Sequence, residues 1–152
     1  MIIDKRIKKV LWKILLQKTK FEDNEYGKIW MLSSGAANLM NLQHNQNYYF
    51  LLRDQVAEYP NTCFNQIELD LRRTFPNDPP ASVEQCIIPL RNVLKTFVKR
   101  NPTIGYCQGM NFIAGNLLKM LNEQESFWLF TSITENILPL DYYSDMLGIL
   151  VD

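Results

Sequence analysis

Apolar residues in this chain recur at intervals of three and four, and each such stretch predicts a helix. Ile3, Ile7, Val10, Leu11, Ile14 and Leu15 form the first stripe, surrounded by Lys5, Arg6, Lys8, Lys9 and Lys13. Residues 1–24 therefore predict a basic amphipathic helix and a linker. FEDNEYG (21–27) breaks the period, and residues 28–42 resume it through Trp30, Met31, Ala37 and Met40. QHNQN (43–47) predicts a polar loop, with His44 as a solvated residue rather than a ligand or base. Tyr49, Leu52, Val56 and Tyr59 continue the helical period up to Pro60. Asn61 or Thr62 can cap a helix carrying Phe64, Ile67 and Leu71 that stops before Pro76. TFPNDPPA (74–81) is too rich in proline for a helix or an inner strand. Ser82 and Gln85 have capping-box spacing and predict the start of a long helix through Leu90, Leu94, Phe97 and Val98, which Pro89 is expected to kink or break. Met110, Ile113, Leu117 and Leu121 predict another helix, and Phe127 to Leu138 a last one, closed by Pro139. No period-two run and no Asn-Gly or Asp-Gly turn occurs, so the fold class expected is all-α.

Composition narrows the function more than the fold. The 152 residues suit one domain with a sizeable core. Sixteen basic residues balance sixteen acidic ones, which gives no electrostatic footprint for nucleic acid. Cys63, Cys86 and Cys107 are an odd number at wide spacing with no histidine nearby, which supports neither a disulfide framework nor a zinc site and suits a reducing, cytoplasmic home. No apolar stretch approaches the ~20 residues of a membrane span. The basic N-terminal stripe leaves peripheral contact with an anionic endomembrane open, beside the plainer reading of a helix packed on its own domain.

Two punctuated stretches carry the candidate chemistry. In IELDLRRTFP (67–76), Arg73 ends a helix before a stiff loop, and Asp70, three residues back, shares its face and can orient the guanidinium. Only a guanidinium offers two parallel donors to a phosphate while staying charged. Taken alone, the pair reads first as an ordinary intrahelical ion pair. In GYCQGMNF (105–112), Gly105 permits a tight turn and Gly109 the close approach of another backbone, so Gln108 can stand clear on the first turn of a helix. An amide there can hold a water molecule and a backbone group together. By itself the stretch could also be a glycine-rich helix junction with Tyr106 and Phe112 in the core.

Taken together, Ile67-x-x-Asp70-x-x-Arg73-Thr-Phe-Pro followed by Tyr106-x-Gln108-Gly-Met-Asn resembles the paired signature motifs of the TBC domain, the catalytic domain of activators of Rab GTPases. Trp30 in GKIW, Phe127-Trp128 and the NPxxGY leading into the second motif are similar to the same pattern. The resemblance implies a TBC domain over residues 25–152, incomplete at its C-terminus, with a role in vesicle trafficking. It implies two catalytic residues acting on a partner: Arg73 as an arginine finger on the γ-phosphoryl group and Gln108 as a glutamine finger on the attacking water. Asp70 would support the arginine, and Tyr106 would position Gln108 or touch the GTPase. The chain would need no cofactor of its own, GTP and Mg²⁺ arriving with the Rab partner, in keeping with the absence of a Gly-x-x-x-x-Gly-Lys-Ser/Thr loop. The alternative that the resemblance leaves open is a catalytically silent Rab-binding or scaffold module.

Overall fold

A computed structural model describes residues 22–139 and 142–143, and among these the regular structure is helical throughout. The helices are α1 (Asp23–Ser33), α2 (Ala36–Asn41), α3 (Tyr48–Asp54), α4 (Cys63–Leu71), α5 (Pro80–Arg100), α6 (Met110–Leu118) and α7 (Glu123–Ser132). Short 3₁₀ turns at Gln43–Asn45 and Val56–Glu58 flank α3, and α7 runs into a π turn at Ile133–Ile137. The all-α expectation holds. The basic N-terminal stripe lies outside the described residues.

Helices α5 and α7 form the centre. α5 packs against α3, α4, α6 and α7, while α7 also packs against α2 and α6. On α5, Leu90, Val93, Leu94, Phe97 and Val98 are buried at the i, i+3, i+4, i+7, i+8 spacing of one helical face. On α7 the run from Ser126 to Ser132 is buried on all sides, as expected of a helix with neighbours on more than one face. Phe97 and Phe130 meet edge-on at 4.8 Å between ring centroids, joining the two helices.

Several element ends differ from expectation, each for a local reason. FEDNEYG does not interrupt a helix but starts one, because the Glu25 carboxylate accepts from the Glu22 N–H at 2.9 Å. The segment 28–42 is two helices rather than one, divided at Gly35, whose φ of 81° only glycine adopts readily. Asn61, rather than Thr62, supplies the cap of α4: its Oδ1 accepts from the Cys63 N–H at 2.9 Å. α5 starts at Pro80, ahead of the Ser82–Gln85 pair, because proline at the first helical position has its φ already set and loses no bond. α5 also runs unbroken through Pro89. A proline inside a helix costs about 3 kcal/mol, whereas each of the five buried apolar side chains that follow contributes about 1.5–3 kcal/mol, so packing wins. α7 begins at Glu123, ahead of Phe127, under a capping box in which Asn122 Oδ1 accepts from the Glu125 N–H at 2.9 Å.

Candidate functional site

The site grows from one buried carboxylate. Asp70, in the last turn of α4, has its side chain fully shielded from solvent. A buried charge persists only where it is paired and hydrogen-bonded, and Asp70 is both. Its Oδ1 accepts from Gln66 Nε2 at 2.9 Å, one turn back on α4, and pairs with Arg73 Nη2 at 2.5 Å. Its Oδ2 accepts from the Tyr106 hydroxyl at 2.6 Å. Two of these partners are local to α4, and the third reaches across from the loop before α6. Burial, and then the hydrogen bond to Asp70, push the Tyr106 phenol well above its ordinary range.

A second bridge runs parallel to the first. Thr74 Oγ1 donates to the Asp70 carbonyl at 2.8 Å and accepts from Asn111 Nδ2 at 2.9 Å. Asn111 is fully buried, and its Oδ1 accepts from the Gly109 N–H at 3.2 Å. One turn further along α6, Gly115 leaves room for the loop after Arg73: a Cβ there would stand 2.6 Å from Thr74 Cγ2 and 3.0 Å from Phe75 Cε1. The segment holding Arg73 and the segment holding Gln108 are thus joined by two hydrogen-bonded bridges.

Arg73 and Gln108 themselves are both exposed. Arg73 meets Asp70 through Nη2, and a guanidinium carries five N–H donors, more than that carboxylate oxygen can take, so donors remain for another acceptor. Gln108 does not sit on a first helical turn. It lies in the turn before α6, which starts at Met110. Gly105 (φ 61°) and Gly109 (φ 100°) give that turn its path. Gly109 serves this backbone conformation and not a close approach, since a Cβ there would meet nothing within 4 Å. Tyr106 is 5% exposed and directs its hydroxyl inward, so it offers no surface to a partner. Cys107 is buried too, and burial, followed by the nearby Cys63, raises its thiol's pKa. That is the behaviour of a core cysteine rather than a reactive one. His44 is exposed in the turn before α3.

Sequence reasoning did not single out Gln66, Thr74, Asn111 or Gly115. One signal was available for Asn111: it is a polar residue on the same helical face as Ala114 and Gly115, which a core-facing helix tolerates only when a partner waits opposite.

The family model for RabGAP-TBC, the Rab-GTPase-TBC domain, matches residues 5–151. The chain belongs to the TBC domain family. Relatives of this TBC chain include "TBC1 domain family member 2A" of Ailuropoda melanoleuca, 45% identical over 121 residues, which are 78% of the chain and 13% of that relative. The human protein of the same description is 48% identical over 100 residues, 64% of the chain and 11% of the relative. "TBC1 domain family member 2B" of Xenopus tropicalis is 42% identical over 108 residues, 69% and 12%. The chain therefore spans only 11–13% of the length of these curated relatives. Among solved structures, the flagellar RabGAP TBC domain of Chlamydomonas superposes with a TM-score of 0.67 at 28% identity, covering 95% of this TBC chain and 55% of that one. Among the described residues, no helix is long and apolar enough to cross a membrane.

Proposed function

We propose that the chain acts as a GTPase activator for a Rab-family GTPase, working in trans on the partner's active site without being a hydrolase itself. The observation that carries this reading is the Asp70-centred network. It joins the segments bearing Arg73 and Gln108 while leaving both side chains at the surface. In this reading the partner brings GTP and Mg²⁺. Arg73 donates to the γ-phosphoryl oxygens as charge develops on them, and such an arginine supplied in trans is worth about 10³–10⁵ in rate. Asp70 keeps hold of one guanidinium nitrogen, so the arginine arrives already oriented and loses less freedom on docking. Gln108 orients the attacking water in place of the GTPase's own glutamine, and Tyr106 acts on it indirectly, by fixing the turn before α6 to Asp70.

The test is single-turnover GTP hydrolysis by a panel of Rab GTPases at rising concentrations of this chain. Stimulation should fall by on the order of 10²-fold or more for Arg73→Lys, nearly as far as for Arg73→Ala, because a point charge does not reproduce the guanidinium fork. It should survive replacement of the GTPase's own catalytic glutamine by leucine and be lost on Gln108→Ala. If Arg73→Lys keeps most of the activity, the arginine assignment is wrong. Binding without stimulation would make the chain a silent Rab-binding module instead.

A further inference from the structure

A second feature sits directly beside Arg73. A depression of about 310 Å³ lies between the end of α4 and the middle of α5, lined by Glu68, Leu71, Arg72, Ile87 and Arg91. Arg72 is bonded to Arg73, with Cα atoms ~3.8 Å apart, so the depression lies within reach of the rim of a partner that engages Arg73. The two arginines serve different sides of the α4 terminus. Arg73 turns to Asp70, beside Tyr106, whereas Arg72 lines the depression with α5 residues.

The charges of the depression do not balance. Glu68 accepts from Arg91 Nε at 2.8 Å and Nη2 at 3.0 Å, and pairs with Lys95 Nζ at 2.7 Å. The Arg91 hydrogen bond above all holds its carboxyl below the usual range, so at neutral pH it is ionised and already shared by two cations. Arg72 is exposed and, among the described residues, its side chain has neither an ion pair nor a hydrogen bond. The lining thus carries two arginines against one carboxylate, and Lys95 draws on that same carboxylate from outside the depression. Glu84, the one acid of α5, lies two turns before Arg91, roughly 10 Å along the axis. Leu71 and Ile87 add an apolar patch that suits the methylene groups of an acidic side chain.

We infer that Arg72, with Arg91 across the depression, receives a carboxylate side chain of the GTPase flanking its nucleotide site, and so selects which GTPases the chain serves. The inference rests on the activator reading and names the chemistry of its partner. A carboxylate there completes the uneven charge set and accepts a forked pair of bonds from Arg72. A rim contact of this type acts on encounter and docking rather than on the chemical step.

The experiment uses the 152-residue chain and a panel of GTP-loaded Rab GTPases, with affinity for the GTPase bound to a non-hydrolysable GTP analogue measured alongside. Arg72→Glu should raise KM about tenfold and Arg72→Ala about threefold, with kcat within about twofold of wild type. High salt should raise the wild-type KM more than that of Arg72→Ala. Replacing the responsible acid of the GTPase with lysine should rescue Arg72→Glu. An unchanged KM for Arg72→Glu, or a loss confined to kcat, overturns the inference and leaves the activator reading standing. If the wild type binds without stimulating hydrolysis, the activator reading fails and the inference is decided by the affinity of Arg72→Glu. If it binds no GTPase of the panel, both fall.

Discussion

Tyr106→Phe removes one oxygen atom from the centre of the site and little else. The phenyl ring keeps its place in the core, so no cavity is created. What disappears is the hydroxyl that donates to Asp70 Oδ2 at 2.6 Å. Asp70 keeps Arg73 and Gln66 on its other oxygen, yet its buried Oδ2 is left without a donor. Stranding part of a buried carboxylate in this way costs about 2–3 kcal/mol. For a domain of this length that lowers the melting temperature by roughly 5–10 °C.

A pH dependence separates this cause from general loosening. In the folded wild type Tyr106 stays protonated far above its ordinary value, while in the unfolded chain it ionises near 10. Its contribution to stability is therefore complete below pH 10 and falls as the pH rises past it. At pH 10.5 about 0.8 kcal/mol of the wild-type advantage should be gone, and phenylalanine has no corresponding proton to lose. Urea titrations of both proteins at pH 8 and pH 10.5 measure the gap directly. A gap below about 0.5 kcal/mol at pH 8, or one that widens at pH 10.5, would refute the assignment of the Tyr106–Asp70 bond as the tie between the two segments.

Two glycine substitutions test the site by different routes. Gly115→Ala should cost about 1–3 kcal/mol by overpacking, because its Cβ would overlap Thr74 and Phe75; displacing the loop after Arg73 should lower GTPase stimulation more than affinity, and unchanged stability would argue against this packing. Gly109→Ala meets no neighbour, so its cost of about 1–3 kcal/mol comes from φ alone, and hydrogen exchange should report a change confined to the turn carrying Gln108.

The helical class was legible because apolar spacing is a local property and burial amplifies it: the α5 positions read as one face are the positions the core covers. Element ends were less legible, since they depend on single side chains whose effect is decided by geometry. Gly35 divides a continuous apolar period because its φ is positive, and nothing in the spacing of Trp30, Met31, Ala37 and Met40 announces that. Pro89 misled in the opposite direction. Its local penalty is real, and the packing that outweighs it is tertiary and so invisible to a reading of neighbours.

The site divides along the same line. The Asp70–Arg73 pair spans three residues across the end of α4, so its contact could be read from spacing alone. The Tyr106–Asp70 and Asn111–Thr74 bonds join residues 36 and 37 apart, where spacing carries no information. The buried carboxylate supplies the physical reason for two such motifs to occur in one chain. Without Tyr106, a charge removed from water would lack a donor on one oxygen; without Asp70, a buried hydroxyl would lack its acceptor. Each motif is thus costly in the fold unless the other is present. The same bonds that settle this cost tie the loop of Arg73 to the turn of Gln108, while both side chains stay exposed.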